Sequence, residues 1–423
     1  MSKNKGMFLI DLNLSDIKVK KVTLDATGDY HLDITCLAKS AVCSKCGKTI
    51  TQAFGYCKET VVEHLPILER RVFLHVKWPR FKCDSCDGST TSFHPDWLNE
   101  TGTKTLEFER YVLKSLINST IKDVACRLNL TEEIIEGIVN RRVSTEYDFS
   151  RENPTVIGLD EVALRKGHNQ YLTIVTDLSE QGRTKIIAVI KGRKGEELKP
   201  FLDSIPDTVL YRLESICVDM GASYLSALKE RIKSDHFFNY VVTIDRFHVA
   251  KLVGEQVDKE RKNLIRELKK NYEGDDQKLA EIKGTMWPFR HHPGALSDYE
   301  HQKLNGLFEL SPSLKTCYEL RESLYQIFES HHSRSSGKEA IKEWIEQAKE
   351  YKAFTRFIKT YRTHEENILN YFTHRRTSGP VEGMNNKIKV VKRRGFGFRN
   401  IGNFTRRLFL DINYRLELMP VLV

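Results

Sequence analysis

Three acidic residues stand where their carboxylates could act together on metal ions. Asp160 ends the apolar run Val-Ile-Gly-Leu and Asp219 ends Ser-Ile-Cys-Val, so both are predicted at the C-terminal ends of buried strands. Glu382 follows Gly-Pro-Val and opens a basic helical pattern. Two strand-end aspartates and a helix-borne glutamate can hold a pair of divalent cations for phosphoryl transfer on a nucleic acid. Each of the three alone is equally explained as a strand end or a helix cap.

A second pair of candidate residues follows another predicted strand. Asp245 and His248 occur in Ile-Asp-Arg-Phe-His, which places Asp245 at a sheet edge and His248 one turn into the next helix. An imidazole there could contact a scissile phosphate or orient a nucleophile. The spacing is also that of an N-capping aspartate followed by a packed histidine, and both interpretations stay open.

Four of the nine cysteines form two Cys-x-x-Cys pairs, one at Cys43 and Cys46 and one at Cys83 and Cys86. Two such pairs can close a tetrahedral zinc site of four thiolates, which predicts a structural Zn²⁺. Four ordinary buried thiols are the alternative, and the identical spacing of the pairs disfavours it. The other five cysteines show no pairing pattern, which indicates a reducing compartment rather than a disulfide framework.

A helix-turn-helix is predicted over residues 120–142. Apolar residues recur at three-to-four spacing on either side of an Asn-Leu-Thr turn, and Thr131 is placed to cap the second helix. That helix ends in Arg141 and Arg142, which are predicted to reach DNA phosphates or base edges. An ordinary helical hairpin is the alternative.

Basic residues crowd the segment beyond Glu382, and the whole chain carries a net charge of +10. Such a charge predicts a polyanionic partner, nucleic acid before membrane. No apolar run reaches the ~18 residues that a membrane span needs, so no membrane association is expected. The predicted DNA-backbone contacts are Lys387, Lys389, Lys392, Arg393, Arg394 and Arg399.

The order of strand-like and helical patterns predicts a multidomain α/β protein. Three antiparallel strands followed by strand–helix alternation indicate a mixed sheet after residue 153, and an almost wholly helical segment follows it. Trp287, inside that segment, is expected to pack in a core, and stacking on a flipped base is the alternative. The predicted domains are a β-rich zinc finger over 1–100, a helix-turn-helix domain over 101–152, a first core part over 153–254, a helical insertion over 255–374 and a C-terminal core part over 375–423.

Several of these motifs together resemble the ISL3 family of bacterial insertion-sequence transposases. They are the segments 158–167, 218–220, 244–249, 378–389 and 394–400. The resemblance implies an RNase-H-like mixed-sheet catalytic core with an all-α insertion, preceded by the zinc finger and the helix-turn-helix. It also implies that Asp160, Asp219 and Glu382 are the DDE acids, while Asp245 and His248 match a D-x-x-H signature found in several groups of transposases.

The expected protein is therefore a DDE transposase that binds the terminal inverted repeats of its element and catalyses DNA strand cleavage and strand transfer. Two Mg²⁺ or Mn²⁺ ions and a structural Zn²⁺ are the expected cofactors. Double-stranded DNA is the expected partner, with a homodimer or larger assembly on DNA, in the bacterial cytoplasm at the nucleoid. A non-catalytic DNA-binding regulator and a structure-selective nuclease on the same fold are the alternatives.

Overall fold

The computed structural model describes residues 10–165, 170–180, 183–220, 222–234, 238–375, 379–395, 397–398 and 400–418. The chain divides into two compact units, one formed by Met1–Ser144 with Tyr414–Val423 and the other by Thr145–Asn413. Within the described ranges, no helix has a stretch that is both long and apolar enough to cross a bilayer.

The first unit begins with nine strands. They are β1 (Ile17–Leu24), β2 (Tyr30–Cys36), β3 (Ala41–Val42), β4 (Thr49–Ile50), β5 (Gln52–Tyr56), β6 (Thr60–Ile67), β7 (Arg70–Val76), β8 (Pro79–Lys82) and β9 (Thr90–Ser92). The largest sheet has the order β1-β2-β7-β6, and smaller sheets pair β3 with β4 and order β5-β8-β9. Residues alternate along β7, where Val72, Leu74 and Val76 are buried and the residues between them are more exposed, as expected for a sheet with one face in the core.

Three helices complete the first unit together with a short C-terminal one. They are α1 (Leu106–Leu116), α2 (Ile121–Leu128) and α3 (Glu132–Arg142). Each begins at a threonine, and the hydroxyl oxygens of Thr105, Thr120 and Thr131 accept hydrogen bonds from the first-turn amides that have no partner inside the helix. Asn129 ends α2 in the left-handed conformation, which makes the sharp turn between α2 and α3.

A five-stranded mixed sheet forms the centre of the second unit, in the order β12-β11-β10-β13-β14. Its strands are β10 (Val156–Arg165), β11 (Gln170–Asp177), β12 (Lys185–Lys191), β13 (Ser215–Val218) and β14 (Val241–Ile244). The first three run antiparallel, and β10, β13 and β14 run parallel. The predicted mixed sheet in a multidomain α/β protein is confirmed.

The position of Asp160 within its strand differs from the prediction. Asp160 lies in the middle of β10, because the antiparallel pairing with β11 continues to Arg165. The parallel pairing of β10 with β13, however, ends at Leu159 and Val218. Asp160 is therefore the first residue beyond the parallel ladder. Asp160 and Glu161 together look like a strand end in sequence, but the strand continues through buried Val162 because β11 pairs with its other edge.

Every secondary-structure element described between β14 and residue 375 is helical. In chain order the helices of the second unit are α4 (Phe149–Glu152), α5 (Gly195–Ser204), α6 (Asp207–Leu210), α7 (Ala222–Ser234), α8 (Arg246–Asn271), α9 (Asp276–Ile282), α10 (Met286–Arg290), α11 (Asp298–Leu310), α12 (Pro312–Glu329), α13 (Arg334–Ala348), α14 (Thr355–Leu369), α15 (Tyr371–His374), α16 (Gly379–Arg394) and α17 (Ile401–Phe409). The last helix, α18 (Arg415–Leu418), belongs to the first unit and lies against α1.

The helical segment buries large aromatic side chains, but Trp287 is not among them. Phe289, Phe354 and Phe357 are fully buried. Trp287 is 59 % exposed, so the expectation that it packs in a core is wrong. The physical reason is its place on α10, where Pro288 and Phe289 take the buried face and Trp287 lies beside Arg290 and His291 at the surface.

Candidate active site and zinc cluster

Three aspartates line up where the parallel strands β10, β13 and β14 end. Leu159 pairs with Val218, and Val218 pairs with Ile244. The residues that follow these three are Asp160, Asp219 and Asp245, which puts them in neighbouring positions at one edge of the sheet. The carboxyl edge of parallel strands is where α/β proteins commonly place their sites.

The side chain of Asp245 is turned into the start of α8 rather than towards the other two. It is fully buried and accepts a hydrogen bond from the backbone amide of Phe247, as an N-cap does. His248, one turn into α8, reaches back instead, and its Nδ1 lies 3.0 Å from Oδ1 of Asp219. The capping interpretation therefore holds for Asp245, which caps the helix that carries His248. His248 itself reaches the candidate site.

Asp160, Asp219 and His248 form one cluster of potential metal ligands. Each offers a ligand atom, and these atoms all lie within 4.8 Å of one another. The backbone amide of Glu161 donates to Oδ1 of Asp160 at 2.6 Å. Burial raises the pKa of the Asp160 carboxyl, although that amide and the side chain of Asn385 oppose the rise. A half-buried carboxylate of this kind is stabilised by a nearby cation, so the donor set fits a divalent metal.

Asn385 is part of the site and was not predicted. Its Nδ2 donates a hydrogen bond to Oδ2 of Asp160. Its Oδ1 is buried and accepts no hydrogen bond from any residue that the structure describes. The signal in the sequence is spacing, because Asn385 follows Glu382 by three residues and such residues share a face of a helix.

Helix α16 runs along β10. Asn385 contacts Asp160, and seven residues later Nζ of Lys392 donates to the backbone oxygen of Ala163 at 2.9 Å. Seven helical residues span ~10.5 Å and three strand residues span ~10 Å. The two contacts are therefore about equally far apart on α16 and on β10. Glu382 lies on α16 one turn before Asn385, and its side chain is outside the described residues.

The six basic residues predicted to contact DNA after Glu382 differ in their exposure and in their partners. Lys389 and Arg393 are exposed and one turn apart on α16. Lys392 is held by Ala163, while Lys387 and Arg394 are half-buried. Arg399 lies outside the described residues. The DNA-binding role of all six stays a prediction.

Arg141 and Arg142 have an unexpected partner inside the first unit. Glu109 of α1 is fully buried, and its two carboxylate oxygens accept from Nη2 of Arg141 at 2.6 Å and from Nε of Arg142. Asn99 donates to the same carboxylate at 2.9 Å, and Glu100 binds the other side of Arg142. Both guanidinium groups therefore join α3 to α1, and their predicted contact with DNA is untested.

The four paired cysteines converge on one point. The Sγ atoms of Cys43, Cys46, Cys83 and Cys86 lie within 4.8 Å of one another. Backbone amides of Cys46 and Lys45 lower the pKa of Cys43 to about 6, which favours its thiolate. Gly47 and Gly88 follow the two pairs with positive φ, as the turns around sulfur ligands require. Four thiol ligands at this separation fit a structural Zn²⁺.

Comparison with known protein families identifies the family of the chain. A family model described as a transposase, the DDE domain of the ISL3 family, matches residues 157–408, more than half of the chain. The chain belongs to the ISL3 family of transposases. Two further models of this family match as well, the zinc finger of transposases IS204, IS1001, IS1096 and IS1165 over residues 39–86 and the helix-turn-helix domain over residues 94–143.

Curated relatives of this ISL3 transposase carry matching names. It is 28 % identical over 372 residues to the transposase for insertion sequence element IS1001 of Bordetella parapertussis, covering 86 % of each chain. It is 25 % identical over 387 residues to the transposase for IS1557 of Mycobacterium tuberculosis, covering 86 % of this chain and 84 % of that one. A chain of the Drosophila P element transposase strand transfer complex aligns at 13 % identity over 67 % of this chain and 81 % of that one, with a TM-score of 0.34, which is too low to establish a shared fold.

These matches confirm that the protein is a transposase with zinc-finger and helix-turn-helix DNA-binding domains. The zinc-finger model spans all four clustered cysteines, which supports the predicted structural zinc. The helix-turn-helix model spans α1, α2 and α3 and so excludes an ordinary helical hairpin.

Proposed function

We propose that this ISL3 transposase binds the terminal inverted repeats of its element through the zinc finger and the helix-turn-helix, cleaves a phosphodiester at each end, and joins the resulting 3′-OH to target DNA. Asp160, Asp219 and Glu382 are the acids of a site on an RNase-H-like sheet, which an all-α insertion over 255–374 interrupts. The observation that carries the proposal is the convergence of Asp160, Asp219 and His248 where three parallel strands end in register.

The donor atoms of the cluster decide which metals are compatible with it. Carboxylate oxygens suit Mg²⁺ and Mn²⁺, and an imidazole nitrogen beside them is better tolerated by Mn²⁺. When bound, a pair of such ions supplies electrostatic stabilisation to the attacking and leaving oxygens of an in-line displacement. Asp160 and Asp219 are assigned as ligands with Glu382 of α16, which lies one turn from Asn385.

The surrounding residues hold the two aspartates in place. Asn385 and the amide of Glu161 bind opposite oxygens of Asp160, so its carboxylate cannot rotate freely. His248 fixes Asp219, and Asp245 fixes the helix that carries His248. Preorganised carboxylates of this kind keep a reacting phosphate in the geometry of the displacement. Asp245 and Asn385 are positioning residues in this proposal.

Lys389 and Arg393 are the first candidates among the proposed backbone contacts. Both are exposed on α16, the helix that also carries Asn385. Cations presented beside a nuclease-type site neutralise phosphates and hold the strand. Arg141 and Arg142 are assigned a weaker role on DNA because Glu109 already binds both.

Two element ends have to be brought together before joining, so the working form is proposed to be a homodimer or larger assembly on DNA. Sedimentation of the protein with and without labelled end DNA tests this directly. A complex that contains one chain and two ends would contradict it.

The test of the whole proposal is a cleavage and joining assay on labelled element-end DNA with Mg²⁺ or Mn²⁺. Asp160→Ala, Asp219→Ala and Glu382→Ala are expected to abolish both steps, while Glu343→Ala, an exposed acid on α13, retains them. Absence of cleavage by the unaltered protein favours the regulator, and cleavage without joining favours the nuclease. Full activity of any one of the three variants removes that residue from the set of acids.

A further inference from the structure

Helix α8 begins at the acidic site and runs far beyond it. It has 26 residues, which corresponds to a length of ~39 Å. His248 in its first turn approaches Asp219, with Nδ1 3.0 Å from Oδ1. Val253, Val257 and Leu268 are buried on one side of the helix, which leaves the side that carries His248 towards solvent.

The side of α8 that carries His248 is basic along the outer half of the helix. Lys259 follows His248 by 11 residues and Arg266 follows it by 18, which is about 3 and 5 full turns. The three side chains therefore leave the helix in nearly the same direction. Three more cations lie within about 60° of that direction, namely Lys262, Lys269 and Lys270. These five exposed cations form the α8 stripe.

The α8 stripe differs from an ordinary solvated helix face. On α13 both signs of charge occur side by side, and Nζ of Lys342 lies 3.0 Å from Oε1 of Glu339. Within the described ranges, Lys262 is the one member of the stripe with an ion pair, which it makes with Asp258 at 3.0 Å. Glu255 is the one acid of α8 within about 60° of the direction of the stripe. A surface of one sign that neighbouring carboxylates do not neutralise is suited to a polyanion.

The stripe ends at a cleft between α8, α9 and α10. The cleft has a volume of about 670 Å³, and Lys269, Lys270 and Lys283 line it. Glu273 lines it as well. The positive surface therefore continues from α8 onto the turn that follows α9.

We propose that the α8 stripe binds the phosphate backbone of the same DNA duplex whose scissile phosphate lies at Asp160 and Asp219. This inference rests on the proposed function, because it places that phosphate at the acidic site. Lys259 lies ~16 Å and Lys269 ~32 Å along the helix from His248. At ~3.4 Å per base pair, these lengths correspond to about 5 to 9 base pairs of duplex.

The chemistry of the stripe assigns it to the backbone rather than to the bases. Lysine and arginine side chains on an exposed helix face neutralise phosphates and fix the register of the protein on the duplex, whatever its sequence. Each phosphate contact contributes about 0.9 to the slope of log affinity against log salt concentration. The stripe should therefore appear as a salt-dependent part of the affinity.

The experiment measures the affinity of the full chain for a labelled duplex that carries an element end, without added Mg²⁺ or Mn²⁺. The stripe variant combines Lys259→Gln, Arg266→Gln and Lys269→Gln, because glutamine removes the charge and still favours helix. Its affinity is expected to fall about 10-fold or more at ~0.1 M salt, and its salt slope to be shallower by about 2–3. Lys259→Gln alone is expected to lower the slope by about 1.

The matched control removes the same number of charges from the same unit. It combines Lys315→Gln, Lys342→Gln and Lys349→Gln, three exposed lysines that are paired with acids. Its affinity and its salt slope are expected to equal those of the unaltered protein. A change that follows net charge alone would affect both triple variants alike, and equal slopes in the two would overturn the proposal.

Shortening of the duplex locates the contact. The DNA is truncated on one side of the element boundary and then on the other, and the affinities of the unaltered protein and the stripe variant are compared at each length. Their ratio is expected to fall to one when one of the two arms is shorter than about 5 base pairs. A ratio that depends on the length of neither arm would overturn the proposal. Absence of cleavage with a preserved length dependence would contradict the proposed function and not the role of the stripe.

Discussion

The side-chain amide of Asn385 donates a hydrogen bond to the carboxylate of Asp160 across 225 positions of the chain. This contact attaches α16 to β10 at the acidic site, and Lys392 attaches the same helix farther along the strand. The oxygen of the Asn385 amide remains buried without a hydrogen bond from the described residues. A buried acceptor in this state is costly.

Asn385→Ala is expected to slow DNA cleavage about 10–100-fold, because a hydrogen bond to a charged group contributes ~1.5–3 kcal/mol and here it orients a metal ligand. Mn²⁺ affinity, measured by electron paramagnetic resonance without DNA, is expected to weaken in parallel. Asn386→Ala is the matched control, since Asn386 is the exposed neighbour on the same helix. Identical rates and Mn²⁺ affinities in the two variants would contradict a positioning role for Asn385.

Substitution of His248 and substitution of Asp245 are expected to affect different properties, metal binding in the first case and stability in the second. His248→Ala should reduce Mn²⁺ affinity and cleavage with little change in the free energy of unfolding, because His248 contacts Asp219 at the edge of the sheet. Asp245→Ala should lower the free energy of unfolding of the second unit by about 1–2 kcal/mol, because it removes the N-cap of α8. Urea unfolding and metal titration of both variants check this. A stability loss for His248→Ala as large as that of Asp245→Ala would argue against the division of roles.

Glu109 is expected to make the first unit sensitive to acid. Burial alone raises the pKa of its carboxyl, but the hydrogen bonds from Arg141, Asn99 and Arg142 together outweigh it and hold the pKa below the ordinary value of 4.5. A carboxyl whose pKa is lowered on folding stabilises the fold above its unfolded-state pKa, and this contribution disappears as the pH falls through the folded-state pKa. Stability of the first unit should therefore decline with acidification below about pH 4.5.

Glu109→Gln tests that assignment. It should lower the free energy of unfolding at neutral pH by roughly 2–3 kcal/mol, less than for a fully buried pair because both arginines are partly exposed. The same change should flatten the acid dependence in chemical unfolding followed by circular dichroism. Glu107→Gln, a change of an exposed acid on the same helix, serves as a control. An unchanged acid profile in Glu109→Gln would show that another carboxyl sets it.

Removal of the structural zinc should unfold the small sheets without dismantling the acidic site. Cys43 and Cys83 are themselves part of the small core formed with Ala41, Ile50 and Phe81. Cys83→Ser is expected to lose one zinc per chain, to become sensitive to proteolysis between residues 39 and 92, and to lose affinity for element ends. Cys126→Ser, at an exposed cysteine, should keep its zinc. Full zinc content in Cys83→Ser would contradict the four-thiol site.

Local patterns in the sequence are sufficient to predict those elements whose structure depends only on residues close together in the chain. The β-branched run before Asp219 forms β13, and the two helices expected within residues 120–142 are α2 and α3. The threonine expected to cap α3 does so. These features depend on backbone propensity and on side chains a few residues apart, which periodicity and capping rules describe.

The sequence does not reveal contacts between residues that lie far apart in the chain. Asp160 looks like a strand end, because nothing in its own segment reveals that β11 pairs with the residues beyond it. Arg141 and Arg142 look like free cations, because their partner Glu109 lies 32 and 33 residues earlier in what reads as an ordinary helix. The spacing of Asn385 from Glu382 places both on one face of a helix, but the contact of Asn385 with Asp160, 225 positions away, has no local sign either. Tertiary contacts of this kind leave no periodic signal in a single chain.

The order of the site residues along the chain has a genetic consequence. The DNA-recognition domains precede residue 144, the two aspartates follow, and α16 with Glu382 and Asn385 comes only after the helices that end at His374. A ribosome therefore completes the part that recognises DNA long before it completes the part that cuts it. A premature stop codon between these points would yield a polypeptide that carries the zinc finger and α1 to α3 but lacks Glu382 and Asn385, and that also lacks α18, which packs on α1.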